Sequence, residues 1–312
     1  MIPFLPLIVL GLLVQAVHSW GYHESCNTIG QQLKDAMQIA FRRAAEAKQE
    51  IDREPRDKHI EALLQILFGG DEKKVLDFKD ACGHLSEQLQ GFDLHQSDLS
   101  DGLFQKAHLT FVVDDLLLHR PHRGYTDPDR GGIDKPVMGT KRMDNCRSED
   151  RASFEASTRA LTINRGAALF KDGERVPELY PDTIQLCPWS LKKIAGPPPK
   201  YDTPDELVKQ AADKKSKGIL GRFIAKRNGE TATPIDSLFG LEQVLLHELT
   251  HTYAAGYSDD TPANACYGWK HSAKCQLSHN VDNIAYFALA VELVLHRGYT
   301  VNKDGTLQPR MK

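Results

Sequence analysis

In the segment LLHELTH, residues 245–251, two histidines stand four positions apart and a glutamate directly follows the first. This spacing constrains the backbone strongly. A helical turn brings side chains at i and i+4 onto one face, close enough to share a metal ion. The flanks suit a helix: Pro234 precedes it, Asp236 or Ser237 can cap it, and Gly256 lies just past its end. Leu238, Leu241, Leu245 and Leu249 form one stripe, so that face is predicted to be buried, with His247 and His251 on a neighbouring face. Glu248 can reach a water on the metal without occupying a ligand position. The competing reading is a core helix with two hydrogen-bonded histidines.

Two histidines do not complete a catalytic zinc site, which takes three protein ligands and an open position. The HExxHxxGxxH pattern requires Gly at 254 and His at 257, where this chain has Ala254 and Tyr257. A thermolysin-like site requires a Glu about twenty residues after the second His. His271 stands there, and the nearest later Glu is Glu292. Asp260, preceded by Asp259, follows His251 by nine residues, on the turn after the helix. A carboxylate there can fold back onto a metal.

HELTH, a Gly-containing turn with Asp, YGW and NVDNIAYFALAV together resemble the deuterolysin family, or aspzincins. These are secreted, mostly fungal zinc endopeptidases that use two His and an Asp. Tyr267 and Gly268 match the family's YG; Asn280, Asp282 and Phe287 match its last helix. DTIQLCPWSL resembles the strand before the family's active helix, and Cys26 followed by a long helix resembles the start of the mature enzymes. The likeness is specific over about residues 235–295 and faint elsewhere.

The departures concern the third ligand. The family's GT before the Asp is YS here, and Asp260 lies seven residues before Tyr267, where the family has three. Strict alignment on Tyr267 puts Asn264 at the ligand position. Asn is a poor zinc ligand, so TPANAC is read as carrying an insertion, with Asp260 as ligand and Asp259 as second choice. The resemblance makes Tyr267 the stabiliser of the oxyanion; a structural Tyr at a turn is the alternative. Asp282 reads as a first-turn charge, a partner of a ligand histidine, or the acidic, substrate-binding floor of the S1′ pocket. Lysine-specific relatives carry a second acid one turn on, where this chain has Ala285, so strict Lys preference is not implied. His271 and His279 are expected in exposed loops.

The first nineteen residues, MIPFLPLIVLGLLVQAVHS, form an apolar run with Val17 and Ser19 placed for signal-peptide cleavage. The run is too short and too Pro-broken for a membrane span. Residues 1–19 are thus expected to be a signal peptide on a secreted, extracellular protein. Six cysteines in the exported part predict up to three disulfides. Cys266–Cys275, closing a short loop, is the favoured pair. A net charge of −3 gives no reason to expect nucleic acid or a stable membrane partner.

Periodicity predicts helices over 27–51, 57–70 and 71–89, a first strand within 107–118, short strands over 157–165 and 181–189, and a helix over 204–227. The expected fold class is α+β: one predominantly helical, zincin-like metalloprotease domain over 20–312 with a small β-sheet and the HExxH helix. Insertions are expected near 115–150 and 195–203. The implied function is a monomeric zinc metalloendopeptidase with one Zn2+ per chain, acting on proteins or peptides. A metal-activated water would attack, with Glu248 as general base. The alternatives are a secreted zinc-binding antigen or effector of the same fold without proteolytic activity, and a non-protease zinc hydrolase.

Overall fold

Helix α1 (Gly30–Asp52) follows from small and apolar residues recurring every three or four positions. Leu33, Met37, Ala40, Ala44 and Ala47 are fully buried along that stripe. A short 3-10 turn (Glu24–Ile29) replaces the first helical residues expected from sequence. Helix α2 (Lys58–Phe68) is bounded by local chemistry: Asp57 Oδ1 accepts from His59 N at 2.8 Å, and Gly69, at φ 71°, donates its N–H to Gln65 O. Asp71 Oδ1 accepts from Lys73 N at 3.0 Å at the start of helix α3 (Glu72–Gln88).

A computed structural model of the chain describes residues 19–22, 24–88, 92–94, 109–112, 160–163, 170–171, 174–175, 182–188, 190–191, 206, 208–209, 211, 233–252, 255, 258 and 266–310. The insertions expected near 115–150 and 195–203 fall outside these residues, as does the leader up to residue 18. Of the helix expected at 204–227, only 206, 208–209 and 211 are described, in helical conformation.

Five strands form a mixed sheet in the order β2-β1-β3-β7-β4. They are β1 (Ser19–Tyr22), β2 (Phe92–Leu94), β3 (Leu109–Val112), β4 (Ala160–Ile163) and β7 (Asp182–Leu186). β1 runs parallel to β2 and β3, and β3 parallel to β7; β4 is antiparallel to β7, with Thr162 opposite Ile184. β5 (Phe170–Lys171) and β6 (Glu174–Arg175) make a separate antiparallel ribbon.

The C-terminal half supplies α4 (Leu241–Thr250), α5 (Trp269–Cys275) and α6 (Val281–Glu292). A π-type turn (Leu293–Arg297) and the β8 (Tyr299–Val301)–β9 (Leu307–Pro309) ribbon follow. Every residue of α6 is buried, as befits a helix apolar almost all round. Phe287 on α6 meets Phe78 of α3 edge-on at 5.0 Å and Phe68 of α2 at 6.0 Å, while Phe68 and Phe78 stack at 4.8 Å. Each such ring, fully buried, stabilises the fold by about 1.5–3 kcal/mol. The described residues are mostly helical, an α+β arrangement, and no described helix is long and apolar enough to cross a membrane.

α1, α4 and α6 are also joined by buried charge. Arg43 bonds Glu292 through Nε, Gln243 Oε1 at 3.1 Å and Glu242 Oε1 at 3.4 Å. Burial alone would push the Glu292 carboxyl up, but Arg43, with Arg42 and Arg297, outweighs it and holds it below the usual range.

The Cys266–Cys275 disulfide is formed, as the spacing suggested, and Cys187 is disulfide-bonded too. Cys26 and Cys82 are buried thiols, which leaves four cysteines for disulfides rather than six. Burial pushes the Cys82 thiol well above its ordinary range.

Candidate active site

Helix α4 lies against β4, α1 and α6. It starts at Gly240 with no side-chain cap. Asp236, a cap candidate from sequence, has other partners. Its Oδ2 accepts from Thr233 N at 2.7 Å and Thr233 Oγ1 at 2.8 Å; its Oδ1 accepts from Trp269 N at 3.1 Å and the Tyr286 hydroxyl at 2.7 Å. Four donors satisfy the charge of a carboxylate only 3 % exposed. Asp236 thereby ties the entry to α4 to α5 and α6.

The stripe of Leu238, Leu241, Leu245 and Leu249 is buried, as the pattern predicts. His247 and Glu248 are buried in the last turns of α4, and His251 is its half-buried C-cap, still with helical dihedrals. The two rings lie 5.3 Å apart, centroid to centroid. His247 Nδ1 is 2.7 Å from Asp282 Oδ1, and His251 Nδ1 is 2.7 Å from Ser258 O. A carboxylate and a carbonyl can only accept, so both Nδ1 atoms carry the proton. A neutral ring in that tautomer has its lone pair on Nε2.

Glu248 is held from the sheet side. The Thr162 hydroxyl on β4 is 2.7 Å from Glu248 Oε2 and 2.9 Å from the carbonyl oxygen of the same residue. Tyr267, half-buried, stacks on the His247 ring at 5.7 Å and 27°. The next two backbone N–H groups fix that turn: Gly268 N donates to Asp282 Oδ2 at 2.6 Å, and Trp269 N to Asp236. Gly268 adopts φ 82° and ψ 159°, a region essentially reserved for glycine. Asp282 lies in the first turn of α6 and is 4 % exposed, with one oxygen on His247 and the other on the Gly268 amide.

The fold thus brings together His247, Glu248, His251, Tyr267 and Asp282. Asp259, Asp260 and Asn264 lie outside the described residues. Among the described residues, no group of three or more His, Cys, Asp or Glu side chains is placed to hold a metal. His271 is half-buried on α5 rather than in an exposed loop; His279 is exposed, 3.8 Å from Asp77. Sequence reasoning missed Thr162 and Ser258. Thr162 lies in a segment expected as a strand, but no motif marks it, and Ser258 acts through its backbone.

The two histidines fit a zinc ion chemically: borderline nitrogen donors one helical turn apart, each with the ring orientation set by an oxygen acceptor on Nδ1. Comparison with protein-family models, curated proteins and solved structures finds no match for this chain.

Proposed function

We propose that the chain is a secreted zinc-dependent endopeptidase of the deuterolysin, or aspzincin, type, with a zincin-like domain built around α4. One observation carries the proposal: on one helical turn both histidines turn Nδ1 to an oxygen acceptor, with Glu248 between them in sequence. Core histidines would also be bonded through a ring nitrogen; the buried carboxylate of Glu248, next in sequence to His247, is what favours a metal-and-base unit over packing alone.

His247 and His251 would hold one zinc ion through Nε2, with Asp260 as third ligand and Asp259 as the alternative. The backbone supports a ligand from that segment. Ser258 N donates to Thr250 O at 2.9 Å and Ser258 O accepts from His251, so the chain is tied to the end of α4 just before the two aspartates. An extended residue spans about 3.5 Å, which puts a carboxylate two residues on within reach. Zinc, when bound, would supply Lewis acidity and bring the pKa of a water towards neutrality.

The chain's own groups divide the remaining work. Glu248 takes the proton from the attacking water and passes it to the leaving amine. Tyr267, beside His247, offers its hydroxyl to the developing oxyanion. Asp282 orients His247; since both its oxygens are bonded within the protein, that role suits it better than the floor of a substrate pocket. A peptide substrate suits the position of β4. This strand ends the five-stranded sheet, with no strand beyond it among the described residues, and an extended peptide can add to such an edge next to Glu248. The apolar leader and the disulfides favour export.

The test is cleavage of labelled denatured casein by wild type and Glu248→Gln, with and without a chelator. Wild type should cut, the variant should not, and zinc should restore the chelated enzyme. Equal rates for the two proteins, each holding one zinc, would leave the non-cleaving zinc-binding protein as the reading.

A further inference from the structure

We propose that Thr162 is a positioning residue for Glu248, fixing the carboxylate of the general base against the helix that carries it. The inference rests on the reading of Glu248 as that base. Glu248 has a flexible side chain, and general-base catalysis requires its oxygen within hydrogen-bond reach of the water. Neither α4 nor its caps supply a side-chain bond that would hold it there. The Thr162 hydroxyl does, lying 2.7 Å from Oε2 and 2.9 Å from the carbonyl oxygen of the same residue. One short side chain thus lies between the carboxylate and its own backbone carbonyl, with its single proton available to either. A bond that grips only one oxygen leaves the carboxylate's other oxygen for the reaction.

Thr162 is itself well anchored. It pairs across the sheet with Ile184 of β7, a strand buried along its whole length, and β4 packs against α4. The hydroxyl has one proton and two acceptors in reach, and it can accept as well as donate. It can therefore donate to the ionised carboxylate, or accept from the protonated one while turning its own proton to the Glu248 carbonyl. The contact survives both forms that the base passes through in a turnover.

Thr162→Val keeps the shape and removes the hydroxyl; Thr162→Ser keeps the hydroxyl and removes the methyl group. With denatured casein as substrate, Thr162→Val should lower kcat by about 10- to 100-fold with KM changed less than about twofold. Thr162→Ser should stay within about threefold of wild type, and both variants should retain as much zinc per chain as wild type. The inference is overturned if Thr162→Val keeps its kcat, if Thr162→Ser is as impaired as Thr162→Val, or if Thr162→Val loses zinc. If wild type cuts no faster than Glu248→Gln, the endopeptidase reading itself fails. Crystal structures of wild type and Thr162→Val then decide the positioning alone: a Glu248 side chain that changes rotamer supports it, and an unmoved one overturns it.

Discussion

Asp282 Oδ1 lies 2.7 Å from His247 Nδ1, and the other oxygen of the same carboxylate accepts from the Gly268 amide at 2.6 Å. One buried side chain at the start of α6 therefore sets the ring of a histidine on α4 and the turn that carries Tyr267. Carboxylate–histidine pairs of this kind fix the tautomer and raise the basicity of the nitrogen facing a metal.

Removing that carboxylate ends both roles at once, and each has its own readout. Asp282→Ala should weaken zinc binding by about 10- to 100-fold in a chelator competition. It should also lower stability by about 1–3 kcal/mol, because the Gly268 N–H loses its acceptor. Asp282→Asn, whose amide oxygen can still accept from one of the two donors, should fall between it and wild type. Unchanged zinc affinity in Asp282→Ala would show that the carboxylate does not support the ligand.

Gly268 gives a test of the turn alone. A Cβ there would come no closer than 3.9 Å to another group, Asp236 Oδ1, so space is not the obstacle. The dihedrals are, at φ 82° and ψ 159°. Gly268→Ala should lose about 1–3 kcal/mol in urea unfolding. A variant as stable as wild type would mean that the turn can relax without cost.

What could be read from the sequence was local. Asp57 and Gly69 bound α2 by capping chemistry contained within their own segment, the apolar run of α6 is buried all round, and the HExxH spacing needs no partner to imply its turn. The illegible parts depend on distant residues. β1 and β2 are four and three residues long, and their pairing comes from strands elsewhere in the chain. Thr162 and Glu248 are 86 residues apart. Asp236 looked like a helix cap because an Asp before an apolar helix usually is one. Donors from Thr233, Trp269 and Tyr286 occupy it instead, and the last two are far along the chain.

The Arg43–Glu292 pair predicts an acid sensitivity of defined sign. Glu292 has its carboxyl pKa lowered in the folded protein, from an ordinary value of 4.5. Its stabilisation is therefore fully present above about pH 4.5 and is lost as pH falls through the folded-state value. Glu292→Gln should flatten that part of the stability curve. Arg43→Met leaves a buried carboxylate with its main partner gone, at a cost of about 3 kcal/mol at pH 7. That deficit should shrink as the pH falls and Glu292 takes up a proton. Urea melts from pH 3.5 to 7 would show it, and a deficit that does not vary with pH would exclude the ion pair as its cause.

Three substitutions decide which residue would complete the proposed zinc site. Ser258 is bonded through both its N–H and its carbonyl to the end of α4, the carbonyl to the ring of His251 itself, so Asp259 and Asp260 follow directly from a fixed point beside the site. Asn264 is closer in sequence to the other fixed point, Tyr267, and its amide is a weak ligand for zinc, which favours imidazole, thiolate and carboxylate. Asp260→Ala should therefore fall well below one zinc per chain after dialysis against a mild chelator, while Asp259→Ala and Asn264→Ala keep theirs. Loss of zinc in Asp259→Ala alone would move the ligand one residue towards the helix. Loss in Asn264→Ala alone would mean that the segment runs into Tyr267 without an insertion, placing an amide where the resemblance calls for an aspartate.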